Sequence, residues 1–164
     1  MAILDVLTYP DPLLKQVAAP VTEFDSSLAR LAEDLEQTMR AGPGGVGIAA
    51  PQVGVLLRVV IVDVSSRPGI PNHGRLVLVN PEIQRWKGMV KGREGCLSVP
   101  DFIGTVIRAE HITLQAQDIH GGMQQYQMQG YEARAVQHEV DHLDGLLFLD
   151  RLVSRHHDLK PRQS

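Results

Sequence analysis

Cysteine is almost absent from the 164-residue sequence: Cys96 stands alone. No internal disulfide can form, which fits a reducing compartment and leaves one free thiol to be accounted for. Long hydrophobic runs are missing too. The longest, from Val53 to Val64, is interrupted by Gly54, Arg58 and Asp63, far short of the roughly 20 apolar residues a membrane helix needs. The opening Met1-Ala2-Ile3-Leu4-Asp5-Val6 lacks the cationic start and apolar stretch of a secretory signal. Charge of one sign is not in excess. A net charge of −3 gives no global attraction to nucleic acid or to an anionic membrane, so no DNA partner and no membrane partner is expected. Internal repeats and low-complexity segments are lacking as well. What remains is 43% hydrophobic and 21% charged, the composition of a packed, soluble domain. The expectation is one cytoplasmic domain over residues 1–164, with about 153–164 as a loose basic tail.

Elements can be placed from spacing. Leu28, Leu31, Leu35 and Met39 recur at helical intervals and predict an amphipathic helix from Ser26 to about Ala41, stopped by Gly42-Pro43-Gly44-Gly45. The segments Leu56–Val64 and Arg75–Val79 read as buried strands. Ile112, Leu114 and Ala116 alternate with polar residues, as do Tyr126 and Met128, and Asp118 to Gly122 supplies the turn of a hairpin. Tyr131 to Leu143 reads as a second helix closed by Gly145. The order predicts an α+β fold. Its mixed or antiparallel strands would pack around a central C-terminal helix that carries the metal ligands, with the amphipathic helix near the N-terminus.

Three stretches carry chemistry. In His138-Glu139-Val140-Asp141-His142 two imidazoles stand four residues apart, on one helical face, where both can reach one metal ion. Glu139 is placed to take a proton from water beside that metal without ligating it. Such a site wants a third protein ligand and an open fourth position. Cys96, in Glu94-Gly95-Cys96-Leu97-Ser98, is the candidate, although a lone cysteine is more often a small buried thiol. The third stretch, Gly45-Val46-Gly47-Ile48-Ala49-Ala50-Pro51-Gln52, lacks the lysine and spacing of a phosphate loop. Small residues there would let backbone lie against a substrate, and the Gln52 amide could donate to a developing oxyanion.

In this order the three stretches resemble the signature motifs of the peptide deformylases. The similarity takes in the Tyr9-Pro10-Asp11-Pro12 opening and Gly145-Leu146-Leu147-Phe148 as well, and so runs to about Leu152. The resemblance implies an enzyme that hydrolyses the N-formyl group from the initiator methionine of nascent polypeptides, releasing formate. It implies Cys96, His138 and His142 as metal ligands and Glu139 as the catalytic acid/base. Gln52 and the backbone N–H of Leu97 would bind the oxyanion, backbone at Val46, Gly47 and Gly95 would hold the peptide, and Glu94 would pair with an arginine such as Arg108. Tyr131-Glu132-Ala133-Arg134 is more polar than the leucine-rich approach to the metal helix in many members, so the methionine pocket is not mapped.

A cysteine with two histidines suits iron and zinc alike; the resemblance favours one Fe2+, with Zn2+ or another divalent ion compatible. Two other functions fit parts of the pattern. A zinc peptidase shares the His-Glu-x-x-His helix but takes its third ligand downstream, leaving Cys96 unexplained. A catalytically silent formyl-peptide-binding paralogue would be marked by a lost Glu139 or a fourth protein ligand. The basic end, with Arg151, Arg155, Lys160 and Arg162, reads as a solvated tail or as a transient ribosome contact through ribosomal RNA.

Overall fold

The structure, a computed structural model, describes residues 2–162. Helix α1 covers Ser26–Ala41, as its spacing predicts; the Asp25 side chain accepts the Leu28 N–H and so satisfies one of the open donors at its start. Strands β1 (Gly47–Ala49), β2 (Val59–Val62) and β3 (Leu76–Lys87) follow, then β4 (Val90–Cys96), β5 (Val99–Arg108), β6 (His111–Gln117) and β7 (Met123–Gln129). Helix α2 covers Gly130–Leu143, and a short α3 (Arg155–Asp158) and β8 (Leu159–Pro161) end the described chain.

All paired strands are antiparallel. One sheet has the order β1-β2-β3-β6-β7 and the other the order β4-β5-β8. The predicted hairpin is β6 and β7, in register from His111 opposite Gln129 to Gln117 opposite Met123.

Strand β2 explains how the layers assemble. Its four residues Val59-Val60-Ile61-Val62 are all buried, and successive side chains point to opposite faces. Val59 and Ile61 pack with Leu28, Leu35 and Met39 of α1. Val60 and Val62 pack with Val136, Val140 and Leu143 of α2. The first sheet is therefore covered by α1 on one face and by α2 on the other, and a continuously apolar strand is what two covered faces require. On its far side α2 meets the second sheet, where Cys96, Val99, Val106, Leu147 and Phe148 form a third apolar cluster.

Helix α2 is buried at every position from Glu132 to Leu143, its many polar residues included. Polar groups removed from water need partners, and those partners build the site described below. The helix stops where expected. Gly145 takes φ +76, and a Cβ there would stand 2.4 Å from the Lys15 carbonyl oxygen, so both conformation and space demand glycine. Arg58 donates to the Leu143 carbonyl at 3.0 Å and to Asp144 at 2.9 Å, supplying positive charge at the helix's negative end.

Two expectations differ from the structure. The Glu94–Ser98 stretch, read as lying between strands, is the end of β4 and its turn into β5, a hairpin the pattern did not show. The end read as loose is instead α3 followed by β8, with Ile103 opposite Lys160 and Gly104 opposite Leu159. Edge pairing with β5 and the half-buried Leu159 hold it in place.

Candidate metal centre and active site

Cys96 enters from the last position of β4, and His138 and His142 from one face of α2. Their ligand atoms lie within 4.8 Å of one another. Cys96 Sγ is 3.3 Å from His142 Nε2. Ligands at 2.0–2.3 Å from a shared ion in tetrahedral arrangement stand about 3.5 Å apart, so a group this close, of one thiol and two imidazoles, suits one divalent ion.

His138 is held from behind, whereas His142 Nδ1 is buried without a hydrogen-bond partner among the described residues. Glu94 Oε1 accepts from His138 Nδ1 at 2.9 Å, which turns the opposite nitrogen of that ring toward Cys96 and fixes its tautomer. Arg108 donates to both oxygens of Glu94 at 2.8 Å, and Arg134 adds a third guanidinium contact at 2.7 Å. Burial pushes the Glu94 carboxyl up, but Arg108 and His138 outweigh it and hold the group well below the usual carboxylate range. Burial pulls His138 down; hydrogen bonds with Cys96 and Glu94 reverse this and carry it well above the usual imidazole value. His142 goes the other way, lowered by burial and by the positive charge of His138 and Arg108.

Glu139 stands on the same turn of α2. A Cβ on Gly47 would meet its Oε2 at 2.5 Å, so glycine in β1 is what allows the carboxylate to lie against that strand. Its Oε1 is buried with no hydrogen-bond partner among the described residues. An orphaned acceptor at this depth is costly unless a ligand or water completes it. Burial raises the Glu139 carboxyl, and despite the pull of His138 it is pushed up to about 7. A carboxyl poised near neutrality can take up and return a proton.

The Gln52 carboxamide is locked at both ends. Its oxygen accepts the Ala49 N–H at 2.9 Å, and its nitrogen reaches Ser98 Oγ at 3.0 Å and Cys96 Sγ at 3.5 Å. The donor end is thereby aimed at the metal group. Gln52, Val46, Gly47, Gly95, Cys96, Leu97, His138 and Glu139, scattered over more than 90 positions of sequence, line one cleft of about 430 Å³, and His142 lies buried beneath it. The structure thus brings together the residues expected to bind metal, act as acid/base, bind the oxyanion and hold the peptide.

The family model described as polypeptide deformylase matches residues 3–158. The chain belongs to this family. A peptide deformylase of Alkalilimnicola ehrlichii is 49% identical over 152 residues, 93% of this chain and 83% of the relative. The crystal structure of a peptide deformylase from Legionella pneumophila superposes with a TM-score of 0.85 at 42% identity, covering 92% of this chain and 86% of the other. A class I type b peptide deformylase of Acinetobacter baumannii, in a crystal structure with Met-Ala-Ser bound, gives 0.85 at 43% identity, covering 92% and 98%.

The polar approach to α2 has structural partners. Glu132, almost fully buried, accepts the His73 backbone N–H and lies 2.7 Å from His73 Nδ1. Arg134 donates to the Val90 and Val106 carbonyls as well as to Glu94, tying the second sheet to the helix. Sequence reasoning missed Arg134. The signal was present, because residues 134, 138 and 141 fall at i, i+4 and i+7 on one helical face.

Proposed function

We propose that Cys96, His138 and His142 hold one divalent metal ion and that Glu139 is the acid/base group in hydrolysis of the formyl group from the N-terminal methionine of nascent polypeptides. Family membership carries the reaction: the chain is a metal-dependent hydrolase of peptide deformylase type. The observation that carries the assignment of residues is the cluster of one thiol and two imidazoles beside a buried carboxylate with an unsatisfied oxygen. A bound divalent ion supplies Lewis acidity and makes water a nucleophile near neutral pH. Glu139 accepts the proton that the water gives up and delivers it to the departing amine, which leaves formate and a free α-amino group. The Gln52 amide and the Leu97 N–H stabilise the oxyanion. Backbone at Val46 and Gly47 on one wall, and at Gly95 on the other, holds the peptide.

Ferrous iron is the proposed occupant, on the family resemblance; a thiolate with two imidazoles accepts zinc or another divalent ion equally well. Metal analysis of protein purified without oxygen distinguishes them. The zinc-peptidase reading is disfavoured by Cys96 as the third group, and the silent-paralogue reading by an intact Glu139. No helix among the described residues is long and apolar enough to cross a membrane, and the cytoplasm is the proposed place of action. A transient ribosome contact through the exposed Arg155 and Lys160 belongs to the same proposal. Changing both to glutamine should reduce co-sedimentation with ribosomes in low salt; unaltered co-sedimentation disposes of it.

The reaction is tested with matched formyl-, acetyl- and unblocked Met-Ala-Ser peptides, measuring formate, acetate and free amine separately. Formyl-Met should be hydrolysed and acetyl-Met should be slower by roughly ten- to a hundredfold. The extra methyl has little room between the Gly47 and Gly95 walls, and crowding of this kind costs about 1–3 kcal/mol. Cleavage of internal bonds without formate would overturn the assignment.

A further inference from the structure

On the deformylase reading above, we propose that this cleft also reads charge: Arg93, Arg162 and Arg67 form a cationic rim that selects formyl-methionyl chains with acidic side chains at their second and third residues.

The rim is built from three parts of the chain. In β4 alternate residues share a face. Glu94 and Cys96 are buried, while Lys91, Arg93 and Gly95 are exposed. Arg93 therefore lies on the same face of the strand as Gly95, the backbone position beside the metal group, and both line the cleft. Arg162, one residue beyond β8, arrives from the far end of the sequence. A Cβ on Gly95 would stand 2.6 Å from its Nη2, which is also 3.5 Å from the Cys96 carbonyl oxygen. The pairing of β8 with β5 thus lays a guanidinium directly over the substrate wall. Arg67 stands near the opposite wall of the cleft, its guanidinium 4.3 Å from the centre of the Tyr131 ring.

Charge is not cancelled locally. Among the described residues none of these three arginines forms an ion pair. The fourth arginine of the cleft, Arg134, is occupied by Glu94 and two carbonyls. The carboxylates lining the same cleft are Glu94, already saturated, and the buried Glu139. A net positive opening on a molecule of charge −3 favours an anion entering that opening. The spacing sets the register. Arg93 precedes Cys96 by three positions, about 10 Å along a strand, so an extended peptide with its formyl group at the metal brings its second and third side chains to the rim. Guanidinium forks match carboxylates in geometry as well as charge.

The test compares formyl-Met-Asp-Glu, its uncharged isostere formyl-Met-Asn-Gln, and formyl-Met-Lys-Arg, all with amidated C-termini, on metal-loaded protein at low salt. A free-acid arm of the isostere separates side-chain carboxylates from a terminal one. The acidic peptide should show a KM roughly 3- to 10-fold below the isostere, the basic one should be weaker still, and the differences should shrink at high salt. In Arg93→Gln/Arg162→Gln the acidic-to-neutral ratio should fall to about one, and in Arg93→Glu/Arg162→Glu the order should reverse. Equal KM values for the three peptides, or a preference that survives in the double variants or at high salt, overturns the charge reading while leaving the deformylase intact. No formate from any of the peptides overturns both. Gain only from the free-acid arm overturns it in favour of end recognition.

Discussion

At the level of single residues, the proposed assignment separates a group that binds metal from one that moves protons. His138, Glu139 and His142 share two turns of α2, yet only the imidazoles face Cys96, while the carboxylate rests against Gly47. Replacing Glu139 with glutamine keeps the shape. It should leave metal content unchanged and lower turnover by about 10²–10⁴-fold. Stoichiometry by metal analysis, run beside formate release, checks this; parallel loss of both would make Glu139 a ligand. That these residues would converge was legible because each is a residue type with few uses at a fixed spacing. For Arg134 the helical face was legible but its partners were not. Its role depends on the Val90 and Val106 carbonyls, which belong to a hairpin with no clear sequence alternation: Lys91, Gly92, Arg93 and Gly95 hide it.

Among elements, the decisive junction is the one between β5 and α2. Arg108, the last residue of β5, bonds Glu94 of β4 and Asp141 of α2, and Asp141 in turn takes two bonds from Arg151. The two arginines differ in depth: side-chain exposure is 4% for Arg108 and 47% for Arg151. Removing one member of a buried ionic group costs about 3–5 kcal/mol because its partners stay buried, whereas an exposed pair contributes about 0–1 kcal/mol. Arg108→Met should therefore lower the midpoint of denaturant unfolding far more than Arg151→Met. Similar losses from the two would show that the network is not the tie between sheet and helix. Helix α1 and the β6–β7 hairpin could be placed from sequence because local caps and turns bound them. Strand β8 could not, since a three-residue strand exists only by virtue of the edge it joins.

Taken whole, the molecule places ligands from β4 and α2, elements of different layers, around one point. On the proposed assignment, metal would bind the folded arrangement and have no such cluster to bind in the unfolded chain. A metal present at a hundred times its dissociation constant adds about 2.7 kcal/mol, which for a chain of this size is a rise in Tm of roughly 5–10 °C. Thermal melts with and without chelator should show that rise in the native protein and lose it in Cys96→Ala. A rise that persists in the variant would place the metal elsewhere.

Strands β1 and β4 are each the outermost strand of their sheet, and both border the cleft through Gly47 and Gly95. An open strand edge is ordinarily a hazard, a template for self-association. Here both edges border the cleft in which the proposed peptide would lie. A guest strand laid between them can bond through its main chain, which every polypeptide possesses whatever its sequence. Edges of this kind would let the proposed site accept newly made chains of many sequences, with the arginine rim only tilting the order in which they are served.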